Sequence, residues 1–282
     1  MKYKFLIYSD FFNENFGGHR ILHKLGNSLQ SIGEEVYSFC EQSNFVKYPK
    51  LDINDFNADE TIVIYPDIVK GNPLNAKYVV RWMLNDQIYD NGENDLIFRL
   101  LFSGKTKKES EHLLISDLDI DFWTGDNSEK QINFFMMRKA IGRTDNPKEY
   151  LINNHHKIVN LGIYDLPSLT FDDFKQEKTF EEIRFKLRRT KYFISFDILS
   201  FWSTIASMCG AISVVIPSKH KSSFDFYSDH LYKNGVAYGF EDIDISLKTK
   251  ENMYGYFFNL ESQNVENTLK FRDKCYSYFN KL

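Results

Sequence analysis

The sequence has little cysteine, no long apolar run and almost no excess of either charge. Its three cysteines, Cys40, Cys209 and Cys275, are odd in number and include no C-x-x-C pair. That excludes a disulfide framework or a structural zinc site as the organising device and points to a reducing compartment. No stretch approaches the ~20 apolar residues of a membrane span. The apolar run in MKYKFLIYSD is far too short for a signal peptide. A cytoplasmic protein is expected, with peripheral association at the inner face of a membrane left open. The formal net charge is -4, with Lys and Arg spread along the chain, which argues against nucleic acid as a partner. G-x-S-x-G, H-E-x-x-H, a Walker loop, G-x-G-x-x-G and the kinase signatures are all missing, so none of those chemistries is indicated. No internal repeat and no low-complexity tract is visible.

What is present is a core. The chain has 282 residues, enough for one large domain or two ordinary ones, and 43% of them are hydrophobic. Aromatic residues make up 16%, with 26 Phe and 17 Tyr, and are read chiefly as core composition.

The period of the apolar residues gives the element order. Tyr3 to Tyr8 reads as a strand, and a loop leads to a helix from about His19 to Ile32. Its face is Ile21, Leu22, Leu25, Leu29 and Ile32, and Gly33 ends it. Further strands are expected at Glu35 to Phe39, Thr61 to Tyr65, Lys77 to Met83, Leu96 to Phe102 and Leu113 to Ser116. The polar stretch SDLDIDFWTGDNSEKQ then reads as a domain edge. Strands at Asn133 to Met137 and Lys157 to Leu161 follow. Next comes a helix with a capping box, Thr179 and Glu182, and inward-facing Ile183 and Leu187. Tyr192 to Phe196, Phe201 to Cys209 and Ala211 to Ile216 read as strand, helix and strand, with Ser200 as N-cap and Gly210 past the C-terminus. A last helix from Val265 to Asn280 carries the stripe Val265, Leu269, Tyr276 and Phe279. The fold class is therefore α/β, in two halves with residues 1–125 and 126–282, the terminal helix free to cross back to the first.

Parallel α/β sheets bind ligands at the carboxyl ends of their strands. Ser195, Asp197, Ser200, Ser203 and Thr204 cluster at such an end. Gly17 and Gly18 sit between the first strand and first helix, where they allow positive φ or close approach of a phosphate to backbone N–H groups. The same pair also reads as a tight strand-to-helix turn. Arg138 and Lys139 end the strand NFFMMRK and suit a diphosphate, or else form a solvated charge pair. Asp67 follows TIVIYP, as a general base or as a turn residue. His19 is a second catalytic candidate beside the glycines. Asp117, Asp119 and Asp121 spell D-x-D-x-D, a metal-holding spacing or a solvated acidic loop. His155 and His156, on a strand, would point to opposite faces and hold no metal together.

Several stretches together resemble nucleotide-sugar glycosyltransferases of the GT-B architecture, with two Rossmann-like domains facing a central cleft. FGGHRILHKLGNSLQSIGEEVY is similar to their first loop and helix. YPDIVKGNPLNAKYVVRWMLN is similar to a segment of bacterial members found in polysaccharide and lipopolysaccharide clusters. FISFDILSFWSTIASMCGAISVVIP with NGVAYGFEDI is similar to their donor-binding half. The resemblance implies transfer from a UDP- or GDP-sugar to a glycan or lipid-linked acceptor. Gly17 and Gly18 would face the diphosphate, Arg138 and Lys139 would neutralise it, and Ser195, Asp197, Ser200, Ser203 and Thr204 would line the nucleotide side. No metal or other cofactor is implied, because cations and helix ends take that part. Where many members carry a Glu that grips the donor ribose, this chain has Ile205. Two alternatives stay open: a GT-A-like metal-dependent transferase using the Asp-rich loop, and a non-catalytic module that binds a glycan or partner on a degenerate transferase fold.

Overall fold

The computed structural model describes residues 2–14, 16–84, 92–100, 110–125, 128–137, 152–162, 168–170, 179–198, 200–217, 222–228 and 233–281. The chain divides into two compact units, Met1–Leu118 with Phe258–Leu282, and Asp119–Phe257. The division falls earlier than residue 125, and the terminal helix belongs to the first unit.

The first unit is built on a six-stranded parallel sheet. Its strands are β1 (Lys4–Ile7), β2 (Glu35–Ser38), β3 (Thr61–Pro66), β4 (Tyr78–Met83), β5 (Leu96–Arg99) and β6 (Glu111–His112), in the order β2-β1-β3-β4-β5-β6. The strands are short, and β1, β3, β4 and β5 are chiefly apolar, as strands covered on both faces must be, whereas the edge strands β2 and β6 carry exposed polar residues. Side chains alternate between the faces. On one face Phe5 and Phe98 meet Phe271, and Tyr78 meets Phe279, both from the terminal helix α8 (Asn264–Phe279). That helix lies beside α1 (Gly17–Ser31). Burying each such Phe contributes about 1.5–3 kcal/mol. On the other face Leu6, Val63, Tyr65 and Val79 are covered by loop side chains, among them Leu51, Phe56, Val69 and Leu74.

The second unit has a five-stranded parallel sheet. Its strands are β7 (Ile132–Met137), β8 (Ser168–Thr170), β9 (Thr190–Ser195), β10 (Ile212–Val215) and β11 (Val236–Tyr238), ordered β11-β10-β9-β7-β8. Around it lie α2 (Ile120–Trp123), α3 (His155–Asn160), α4 (Phe180–Arg188), α5 (Phe201–Met208), α6 (Ser223–Ser228) and α7 (Ile243–Ser262). Ile158 of α3 packs with Ile194, Phe196, Val214 and Ile216. The capping box of α4 is formed by Thr179 and Glu182, and Ile183 and Leu187 are buried beneath it. α5 is too short to be stable alone, so its end is tied down by its neighbours. The Met208 carbonyl accepts from Tyr254 Oη (3.0 Å) and from the Gly125 N–H (2.8 Å), and Lys130 Nζ donates to the Cys209 carbonyl (2.9 Å). Gly210, at φ +91°, takes the left-handed turn out of the helix.

Three readings of the sequence are corrected, and one helix is new. The strand expected at 113–116 lies at Glu111–His112 instead: the Leu113 N–H still donates to the Arg99 carbonyl (2.9 Å), and beyond it the backbone pairs with side chains of α8. Asn264 accepts from the Ser116 N–H (2.8 Å) and donates to its carbonyl (2.7 Å), and Asn267 donates to the Leu114 carbonyl (2.9 Å). The buried face of α8 also differs from the expected stripe: Asn264, Thr268, Phe271, Cys275 and Phe279 are buried and Val265 is 54% exposed. The 157–161 segment is helical, a short apolar run whose period cannot separate strand from helix. Helix α7 is a new element. Its apolar residues do not lie on one face, since Ile245, Leu247 and Phe258 are exposed while Ser246 is buried.

Candidate functional site

Both sheets reverse their direction of growth at one point. In the first, the chain goes from β1 out to β2, then crosses back over β1 to β3 and onward. In the second it goes from β7 to β8, then back over β7 to β9. Two parallel strands therefore lie side by side, β1 with β3 and β7 with β9, while the connections after them leave in opposite directions. A crevice opens outside the carboxyl ends of such a pair, and ligands of open α/β sheets bind there.

At the first switch point, β1 runs into a loop that ends at α1, and β3 runs into Asp67. Gly17 and Gly18 are exposed and form the first two positions of α1. Neither has positive φ, so the conformational freedom expected of them is not used. A Cβ on Gly17 would meet nothing within 4 Å, and one on Gly18 only Leu84 Cδ1 at 3.6 Å. The chain's own packing does not demand glycine at either place. Phe16, as N-cap, supplies no side-chain acceptor, and the first turn has no acidic residue. His19, half-buried between Phe11 and Phe16, accepts the Asn13 N–H at Nδ1 (3.1 Å). Burial lowers its pKa, in the direction that the positive end of a helix also favours.

Asp67 is 3% exposed. The loop it opens is locked by groups the sequence reading did not single out. Arg81, buried in β4, donates from Nε to Asp95 Oδ2 (2.9 Å), from Nη1 to the Val69 carbonyl (2.9 Å) and from Nη2 to the Gly71 carbonyl. Its guanidinium lies over the Tyr65 ring (4.8 Å). Tyr65 Oη donates to Asn72 Oδ1 (3.1 Å) and accepts from the Leu74 N–H (3.2 Å). Burial pushes the Tyr65 hydroxyl up to about 12. The one available signal was an arginine inside the apolar strand YVVRWM, since a buried Arg needs a partner.

At the second switch point, Ser195 ends β9 and forms a closed local turn. Its Oγ accepts from the Asp197 N–H and donates to the Asp197 carbonyl, both at 3.1 Å. The Phe196 N–H donates to the Met136 carbonyl of β7 (2.9 Å). Asp197 and Ser200 are buried. Ser200 occupies the N-cap of α5 but makes no capping bond, its Oγ lying 4.0 Å from Met136 Sδ. Ser203 and Thr204 lie one turn into α5 and are fully buried. The hydroxyls of Ser203, Ser207 and Ser213 find no partner among the described residues. Ile205 is buried as well. Arg138 and Lys139, which follow β7 in the sequence, lie outside the described residues.

The acidic triplet is occupied structurally. Asp117 pairs with Arg20 Nε (2.5 Å), Asp119 caps α2 through the Phe122 N–H (2.8 Å) and Asp121 sits in the first turn of α2. His155 and His156 are exposed on a helix, not a strand. Among the described residues no group of three or more His, Cys, Asp or Glu could hold a metal ion. Nor is any described helix long and apolar enough to cross a membrane.

No protein-family model matches the sequence, and no curated protein matches it. Solved structures to which the chain is similar include WaaG, a glycosyltransferase involved in lipopolysaccharide biosynthesis, at 8% identity over 93% of this chain and 94% of that one, with a TM-score of 0.49. An alpha-glucosyltransferase in complex with UDP and a 13-mer DNA containing a HMU base is similar at 10% identity over 95% of each chain, with a TM-score of 0.44. The spinosyn rhamnosyltransferase SpnG, complexed with thymidine diphosphate, is similar at 9% identity over 97% of this chain and 99% of that one, with a TM-score of 0.38. Likenesses at these TM-scores assign no residue a role.

Proposed function

We propose that the chain is a glycosyltransferase that moves a sugar from a UDP- or GDP-sugar to a glycan or lipid-linked acceptor in surface polysaccharide synthesis. It works without metal or other cofactor, in the cytoplasm at the inner face of the membrane. One observation carries this reading: both sheets have the same switch-point order, and the polar clusters of the sequence follow the strands that flank those points.

In the second unit, β7 leads to Arg138 and Lys139 while β9 leads to Ser195, Asp197 and Ser200. Cations beside one strand end would neutralise a diphosphate leaving group, the part a metal takes in other transferases. Asp197, an anion, would accept hydrogen bonds from ribose or sugar hydroxyls and not touch phosphate. Ser203 and Thr204, one turn inside α5 and not at the strand end itself, would support this end and not contact the nucleotide. In the first unit, Asp67 would take the proton of the acceptor hydroxyl. The open space at Gly17 and Gly18 leaves the backbone N–H groups of α1 approachable by an anionic oxygen. A glycan acceptor suits the net charge of -4 better than a nucleic acid does.

Calorimetry with UDP and GDP, followed by transfer assays with and without EDTA, tests the reading. Binding of a nucleoside diphosphate and transfer that survives EDTA would support it. Binding of neither nucleotide would favour the non-catalytic module, a reading that Ile205 in place of the ribose-gripping Glu already favours.

A further inference from the structure

We infer that Tyr48, His23 and Ser9 form a one-directional hydrogen-bond relay that holds the loop after β1 and presents His19 as an Nε2–H donor, which makes His23 a positioning residue for the first switch point. His23 and Tyr48 are 0% exposed. The direction follows from which groups can donate. Ser9 Oγ lies 2.7 Å from the Phe11 carbonyl, which can only accept, so the single Ser9 proton goes there. Ser9 Oγ is also 3.1 Å from His23 Nε2, where it must then accept, which places the His23 proton on Nε2; Cys40 Sγ, 3.7 Å from the same nitrogen, then faces that proton as a second, weaker acceptor. His23 Nδ1 is left as an acceptor and takes the Tyr48 hydroxyl proton at 2.6 Å. Gly26 makes this possible, because a Cβ there would stand 2.4 Å from the Tyr48 ring. The relay therefore runs from Tyr48 to His23 to Ser9 and ends on the backbone at Phe11.

Two residues further along that loop, the Asn13 N–H points at His19 Nδ1. An N–H can only donate, so neutral His19 carries its proton on Nε2. Burial holds both imidazoles toward the neutral form, His23 at about 4. A neutral imidazole in this tautomer polarises an oxygen without adding a full charge, as a base at Nε2 could not. The role of His19 toward substrate rests on the proposed function, whereas the relay and the tautomers do not.

The test is long-range proton–nitrogen NMR of the full chain labelled with 15N-histidine at neutral pH. The chain has seven histidines, and H19Q and H23Q spectra assign the two signals. The expected result is a single Nε2–H tautomer for each. A proton on Nδ1, a mixture of tautomers or a charged His23 overturns the relay. Ser9→Ala removes both bonds of the relay's last link, and it should shift the His19 nitrogens toward averaged values. It should also lower kcat about tenfold with KM little changed, and S9T should recover both. An unmoved His19 spectrum in S9A, and equally in Y48F, ends the positioning role while leaving the transferase reading intact. Failure of UDP and GDP to bind ends the transferase reading while the tautomers stand.

Discussion

The first switch point holds its strand ends with side chains bound to loop backbone. Arg81 and Asn72 fasten the loop after β3, and Ser9 and His23 fasten the loop after β1. The second closes the turn after β9 through Ser195 and follows it with a buried helix, and the hydroxyls of Ser203 and Ser207 on that helix and of Ser213 on β10 find no partner among the described residues. The sheets are alike in order, so the difference lies in how polar groups are spent. A buried polar group with every bond made stabilises its loop, while an unpartnered one costs about 1–3 kcal/mol. Clustering of polar residues in a sequence does not separate the two cases.

The largest expected effect breaks the first switch point. Arg81→Ala leaves Asp95 buried without its cation and should cost about 3–5 kcal/mol, read as a lower urea midpoint. Nucleoside diphosphate affinity should stay within about twofold, because neither Arg81 nor the loop it fastens is proposed to touch the diphosphate. A mild stability loss would mean that the clamp is not what locks residues 67–72.

Acid should loosen the same region next. Folding lowers His23 from 6.5 to about 4, so its contribution is fully present above 6.5. As pH falls from 6.5 toward 4 the unfolded chain takes up the proton first, and roughly 3 kcal/mol is lost. Stability measured against pH in the wild type and in H23Q isolates this, since H23Q should flatten that slope.

Arg138→Ala and Lys139→Ala probe the second switch point through its ligand. Each should lose about 1.5–3 kcal/mol of nucleoside diphosphate binding, tenfold or more by calorimetry, at unchanged melting temperature. Unchanged affinity in both variants removes the pair from the donor site.

The smallest effect separates two N-caps. Thr179→Ala breaks a formed capping box and should cost about 1 kcal/mol. Ser200→Ala breaks no capping bond and should stay within about 0.5 kcal/mol. Equal losses would show that Ser200 caps α5 in solution.

The strands at β1, β3, β4 and β9 were legible because each is a short apolar run bounded by polar or turn residues. α4 was legible because its capping box is local. The segment at 113–116 misled for the opposite reason: beyond Leu113 its backbone partners are Asn264 and Asn267, far along the chain. The positions of Asp67 and Asp197 just past strands could be read directly. The Arg81 clamp and the His23 relay could not, since each joins residues brought near only by the sheet.

The sequence by itself determined the α/β class, the parallel strands and the presence of polar residues at their carboxyl ends. Those properties are written in the period and punctuation of neighbouring residues. The tertiary structure alone decided the strand order, the face of α8 that is buried, and which polar side chains are satisfied. Each of those depends on hydrogen bonds and packing between residues remote in the chain, such as Ser116 with Asn264 and Arg81 with Asp95, and no local pattern encodes them.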